Sequence, residues 1–323
     1  MKLADVTHAH LFSIRAFVIL QAVLMSFVAS AQDQTAAPST LITFDDPLQT
    51  PENITLDRSG NLYLSLGLTG EVLRLSPFTG AETYATLPTG SDGFIGGLAL
   101  DYRGILYTVV SATDPADTGI WRIPEAGEPE LVARLPEDAF PNGAAFSPDG
   151  HLYVADSVRG AIYRLCRGCT NAEVWLESDA LLPGTDETLS VARGARQVPT
   201  PGANGVKYWN GNLYVSNTGK QTLSQVPILP SGEPGALSTY ISGQPLDDFL
   251  VDATGNVYLM LNGDNEIVRV SPEGDMETLL TLEDGLANPT SAVLSREGET
   301  LFVANADYFT TPNVAGVLRL ELR

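Results

Sequence analysis

The chain is poor in the residues most often used for catalysis and recognition. It has two cysteines, three histidines, three tryptophans, and 18 Lys and Arg against 39 Asp and Glu, for a net charge of −21 over 323 residues. A surface this acidic repels phosphate backbones, which excludes nucleic acid as a partner. His8 and His10 lie near the N-terminus, which leaves His151 alone in the body of the chain. A histidine dyad and a Ser-His-Asp triad are therefore excluded, and no Gly-x-Ser-x-Gly elbow is present. The cysteines form a single Cys-x-x-Cys, Cys166 and Cys169. Two thiols without further ligands make a poor zinc site. The pair follows a strand-like segment, 161–165, in an all-β pattern rather than opening a helix, which argues against redox catalysis and leaves a small disulfide loop.

Long apolar runs are also scarce. The main one, residues 16–29, follows Lys2 and Arg15 and ends in Ala29-Ser30-Ala31, the small-x-small form of a signal-peptidase site. At about 14 residues it falls short of the ~20 needed to span a bilayer. Residues 1–31 are expected to be a cleaved signal peptide, with an uncleaved anchor as the alternative. Cleavage removes two bases and one acid, so the net charge moves from −21 to −22. The mature protein is expected outside the cell or in a periplasm, without stable membrane insertion. Residues 32–38 read as a disordered leader and 39–323 as one domain.

What is abundant is repetition. Six times an apolar run ends in a small-residue turn with Gly and continues into a strand centred on an aromatic: Tyr63, Tyr107, Tyr153, Tyr214, Tyr258 and Phe302. The spacings are 44, 46, 61, 44 and 44 residues. A period of roughly 40–50 residues made of strands identifies a six-bladed β-propeller, all-β, with four antiparallel strands per blade. The last repeat runs out after three strands, so the orphan segment 39–44 is expected to supply its fourth and close the ring. The spacing of 61 marks an insertion at 182–202. It belongs on the channel-mouth face, as a lid or as a tolerated surface loop. Loops 111–118 and 307–315 belong on the same face.

Alignment on the turn glycines (Gly60, Gly104, Gly150, Gly211, Gly255, Gly298) places Glu52, Gly96, Asn142, Asn204, Asp247 and Thr290 at equivalent positions, where the inner strands begin. Four of these six carry side-chain oxygens of the hard type that Ca2+ or Mg2+ prefers, and no His or Cys competes. Asp248 adjoins Asp247 and is a fifth candidate. Carboxylates converging on one axis repel each other unless a cation is present.

The segments Thr50-Pro-Glu-Asn-Ile54, Pro141-Asn-Gly-Ala-Ala-Phe-Ser-Pro-Asp-Gly150, Ala203-Asn-Gly205 and Leu246-Asp-Asp-Phe249 resemble the metal motifs of the gluconolactonase, senescence-marker-protein and paraoxonase-like six-bladed propellers. The resemblance spans essentially the whole mature chain. It implies a divalent cation, usually calcium, with Mg2+, Mn2+ or Zn2+ as alternatives, held by Glu52, Asn142, Asn204 and Asp247. Asp248 matches a paraoxonase-type second ligand that is Asn in that family. The resemblance also implies hydrolysis of lactones and some esters or organophosphates, with the ion polarising the carbonyl and Asp247 or a neighbouring carboxylate as general base. The paraoxonase histidine pair has no counterpart, and blade two offers Gly96-Gly97 where gluconolactonase-like members clamp sugar hydroxyls. Asp156, Asn217, Asn262 and Asn305, in loops after second strands, are expected to bind substrate.

Two other readings remain. One is a non-catalytic propeller like the NHL-type repeats, binding a ligand or a protein. The other is a condensing enzyme similar to strictosidine synthase, with a glutamate base and no metal. Composition fixes neither the substrate nor the oligomeric state.

Overall fold

The computed structural model describes residues 37–184, 188–191, 196–308 and 314–322, within the unit Thr35–Arg323. The expected signal peptide and all but the end of the leader lie outside these residues. Strand follows strand. The helical turns among the described residues are three short 3-10 turns, Pro115–Asp117, Asp179–Leu181 and Leu282–Asp284. No helix of the described residues is long and apolar enough to cross a membrane.

Six antiparallel four-stranded sheets form the blades of a propeller. Blade one comprises Pro51–Leu56, Leu62–Leu66, Glu71–Ser76 and Gly80–Thr86, from the axis outward. The inner strands of the other five are Phe94–Leu100, Pro141–Phe146, Ala203–Trp209, Phe249–Val251 and Pro289–Leu294. Blade six takes its outer strand from the N-terminal side, as expected: Ser39–Thr43 pairs antiparallel with Gly316–Glu321, Ser39 opposite Arg319. The seam between first and last blades is thereby closed without an open edge.

The turn glycines used for the alignment have a common physical cause. In blade one the Asp57 carboxylate accepts from the backbone N–H groups of Ser59 and Asn61, and Gly60 completes the turn at φ +87°, where a side chain would be strained. Asp101 and Asp252 repeat the arrangement. Apolar side chains fill the spaces between neighbouring blades. Val72, Ile95, Leu106 and Val110 join blades one and two, and Leu64, Leu66, Ala304 and Val317 join blades six and one. The repeat aromatics also serve in a cross-strand ladder. Tyr63 lies opposite Arg74, which pairs with Glu82. Tyr107–Arg122–Glu130, Tyr153–Arg164–Glu173 and Tyr258–Arg269–Glu277 repeat the pattern. Blade four, with Gln225 opposite Tyr214, departs from it.

The inner strands differ from the sequence reading in one useful respect. Five of the aligned rim residues, Glu52, Gly96, Asn142, Asn204 and Thr290, lie within irregular first segments of their strands, while Asp247 precedes its strand as expected. Register breaks fall between Pro51 and Asn53, Ile95 and Leu98, Pro141 and Ala144, Ala203 and Val206, and Pro289 and Ser291. A bulge bends the strand and re-aims a side chain that regular pleating would send to a blade face. Backbones also meet closely here. A Cβ on Gly143 would stand 2.3 Å from the Asn204 carbonyl oxygen and 2.6 Å from the Val206 nitrogen. Gly143→Ala is therefore expected to cost about 1–3 kcal/mol in urea unfolding. Gly263→Ala, with nothing within 4 Å, is the control and should stay near wild type. Equal stabilities would deny the tight approach of blades three and four.

Candidate functional site: the channel rim

The rim is built in two tiers. The first holds Glu52, Asn142, Asn204 and Asp247, with Gly96 and Thr290 completing the ring. Glu52, Asn142, Asn204 and Thr290 are buried and Asp247 is partly exposed. Asn204 Nδ2 donates to Asp247 Oδ1, and to Thr218 Oγ1 at 3.0 Å. Asn262 Nδ2 donates to the other carboxylate oxygen, Oδ2, at 3.1 Å. Glu52 accepts at Oε2 from the Tyr308 hydroxyl. Its backbone is held at the preceding residue, where Thr290 Oγ1 donates to the Pro51 carbonyl at 3.0 Å. Among the described residues, Glu52 Oε1, Asn204 Oδ1 and the Asn142 amide have no hydrogen-bond partner.

The second tier, one residue further along each inner strand, is Asn53, Gly97, Gly143, Gly205, Asp248 and Ser291. Here Asp248 departs from the expectation of a ligand. Lys207 Nζ donates to both its oxygens at 2.7 and 2.8 Å. Ser291 Oγ donates to Oδ2 at 2.7 Å, and Asn53 Nδ2 donates to the same oxygen at 3.2 Å. A Cβ on Gly205 would stand 2.1 Å from Asp248 Oδ1, so the glycine makes room for the carboxylate. Asp248 is thus a buried hub that joins blades four, five, six and one.

Electrostatics separate the tiers. Burial, opposed by the Tyr308 hydrogen bond and reinforced by Asp248, pushes the Glu52 carboxyl up to about 7. Burial, then the Glu52 and Asp248 charges, drive Asp247 well above the usual carboxylate range, against the amides of Asn204 and Asn262. Tyr308 is pushed far above its ordinary value by burial and by Glu52. These carboxylates resist ionisation because no counter-charge serves them. Among the described residues no three His, Cys, Asp or Glu side chains group as a metal centre. A cation here would rest on two carboxylates and two amide oxygens, all hard donors of the type calcium and magnesium take. The uncommitted oxygens and the electrostatic strain fit such an ion.

Three of the four residues expected to bind substrate serve the fold instead. Asp156 accepts from the backbone of Phe140, Val158 and Arg159 and from the Tyr163 hydroxyl. Asn217 donates to the Ala180 and Leu182 carbonyls and accepts from the Lys220 backbone. Asn305 accepts from the Ala287 backbone and donates to the Gly285 and Val314 carbonyls. All three are fully buried; Asx geometry in a turn outweighs position on the mouth face. Asn262 alone reaches the rim, through Asp247.

Sequence reasoning missed Lys207 and Tyr308. Lys207 carried a signal: at its position the other inner strands have Thr55, Ala99, Ala145, Leu250 and Val293. A lone ammonium in an apolar register needs an acidic partner. Tyr308 carried none, because it lies in a long loop between strands, which the alignment of the blades on their turn glycines does not reach.

Elsewhere the structure is quiet. His151 sits near Asp149 on the far face, 3.7 Å away. Cys166 and Cys169 are joined in a disulfide. They line a cavity of about 390 Å3 between blades two and three on that same far face. Its Arg103 and Arg122 are already paired with Asp101 and Glu130. The insertion carries a two-stranded hairpin, Thr188–Val191 with Arg196–Pro199, separate from the blade sheets. Its base is tied to the mouth face, Gly202 to Ser157 and Gly219 to Pro201.

No protein-family model matches the chain, and no curated protein matches it in sequence. Solved structures do. A gluconolactonase from Xanthomonas campestris matches with TM-score 0.64 at 15% identity, covering 87% of this chain and 89% of that one. Virginiamycin B lyase from Staphylococcus aureus matches with TM-score 0.61 at 17% identity, covering 88% and 99%. An auxiliary nutrient-binding protein from Bacteroides ovatus matches with TM-score 0.65 at 12% identity, covering 86% and 69%. These likenesses show the fold. It is the six-bladed propeller read from the sequence, and at such identities the chemistry must be argued from the rim.

Two outcomes follow from the rim. Lys207→Met leaves the Asp248 carboxylate buried without its cation, and is expected to cost about 3 kcal/mol or more in denaturant unfolding. A neutral result would remove the hub. The second outcome concerns pH. Glu52 and Asp247 hold protons more tightly folded than unfolded, so folding takes up protons between the ordinary carboxyl range and, for Glu52, about 7. Metal-free protein should be more stable at low pH and lose stability as pH rises through that window. Millimolar Ca2+ should raise the melting temperature at about pH 7.5 and have little effect at about pH 5. A calcium effect of the same size at both pH values would separate the ion from these carboxylates.

Proposed function

We propose that this protein is an exported, divalent-cation-dependent hydrolase of lactones or related esters. The observation that carries the proposal is the first tier of the rim. Two carboxylates with raised proton affinity, Glu52 and Asp247, share it with Asn142 and Asn204, and oxygens on this set are left uncommitted. Glu52, Asn142, Asn204 and Asp247 would hold the ion, calcium first, with Mg2+, Mn2+ or Zn2+ as alternatives. Asp248, already bound by Lys207, Asn53 and Ser291, stays in the wall. When bound, the ion supplies Lewis-acid polarisation of the substrate carbonyl and acidifies water.

The chain's own groups supply positioning and proton transfer. Asn204 and Asn262 hold Asp247 by both carboxylate oxygens. So held, it is the carboxylate we place as general base. Asp247 takes a proton from water as the water oxygen bonds to the carbonyl carbon. The ring C–O bond then breaks, and the departing alkoxide receives the proton, leaving a hydroxy acid. Gly96 adds no side chain to the rim at blade two and leaves space there for substrate. Export is supported by the leader pattern in residues 1–31 and by the disulfide, which suits an oxidising compartment.

A panel of lactones and esters, assayed with and without chelator, tests the reading. Activity is expected to vanish with chelator and return with calcium. Asp247→Asn is expected to lower kcat/KM by about 10²-fold or more. Chelator-insensitive hydrolysis would redirect the mechanism to the protein groups alone. Failure on every substrate would leave the propeller as a binding module.

A further inference from the structure

We infer that Tyr308 is a positioning residue that fixes Glu52 for ligation of the cation. The inference rests on the cation reading given above. It begins with the base of the loop that carries Tyr308. Asp307, buried, adopts a left-handed conformation at φ +51°, which is costly for a residue with a side chain and persists only where surroundings enforce it. They do so here. Its backbone N–H donates to the Ala287 carbonyl at 2.8 Å, and its Oδ2 accepts from the Val314 backbone at 2.6 Å. Asn305 adds bonds to Ala287, Gly285 and Val314. Both feet of the loop are therefore pinned, and Tyr308 is the residue that follows the strained one.

From that footing the Tyr308 hydroxyl crosses the seam between blades six and one and donates to Glu52 Oε2. Glu52 is then held at two points, its backbone through Thr290 on Pro51 and its carboxylate through the phenol. An O–H donor on a carboxylate forms a short, strong bond in a buried site. It engages one oxygen and leaves Oε1 as the available ligand. Groups that orient a metal ligand in this way typically change metal affinity by about 10–100-fold when removed. The ring of Tyr308 fills the same space in Phe, so Tyr308→Phe removes the hydroxyl and little else.

The test is Mn2+ binding to the full mature chain, followed by electron paramagnetic resonance of the free ion, for wild type, Tyr308→Phe, Glu52→Gln and the double variant. Tyr308→Phe is expected to weaken Mn2+ about tenfold, with only the modest fall in melting temperature of the metal-free protein that one lost hydrogen bond entails. In the Glu52→Gln background the Tyr308 substitution should add no further loss, since its effect passes through that carboxylate. Wild-type affinity in Tyr308→Phe, or a full additive loss in the double variant, would overturn the inference while leaving the cation site standing. Absence of Mn2+ binding by the wild type would overturn the cation reading and this inference with it.

Discussion

One carboxylate holds the centre of this molecule together. Asp248 enters from blade five and is met by the Lys207 ammonium from blade four, the Asn53 amide from blade one and the Ser291 hydroxyl from blade six. Four separate blades converge on two oxygen atoms. A buried charge with this many partners is costly to leave incomplete, so each partner constrains where its inner strand can start. The rim positions one residue earlier inherit that constraint. Asn204 meets Asp247 because Lys207 and Gly205, further along the same strand, are locked against Asp248.

The hub also explains the contrast between neighbours in sequence. Asp247 and Asp248 are adjacent, yet Asp248 is met by an ammonium while Asp247 has amides as its only hydrogen-bond donors among the described residues and feels the Glu52 and Asp248 charges. The chain bends at Asp247 just before the inner strand begins at Phe249, and a single step along it separates a structural carboxylate from one with unsatisfied charge. The fold needs one of them as an anion. The other is left with high proton affinity at a rim of hard donors.

The architecture was plain in the sequence because repetition is a strong signal. Aromatics and turn glycines at near-constant spacing count the blades, and the missing fourth strand of blade six points back to residues 39–44. The first tier was plain too, since alignment on the glycines reaches Glu52, Asn142, Asn204 and Asp247 directly. What escaped was orientation. Sequence spacing placed Asp156, Asn217 and Asn305 in loops after second strands, whereas they end those strands, and it could not show the backbone N–H and carbonyl groups that claim them. It assigned Asp248 to the metal because side-chain direction has no one-letter signature. Tyr308 comes from a long loop outside the repeated strands, beyond the reach of an argument from periodicity.

The strand that seals blade six sets a timing rule for the whole molecule. Ser39 pairs with Arg319, so the segment made earliest in the domain must wait for the one made last. Until the two pair, Gly316–Glu321 presents an open edge to any extended peptide, including another copy of the same chain. Ring closure is consequently a late, long-range event with a high entropic barrier. Nascent or partly unfolded chains are most exposed to swapping their first strand with a neighbour during that interval. Joining the two termini of this domain and opening the chain at another loop would shorten the interval, because the latch would then be synthesised beside its socket.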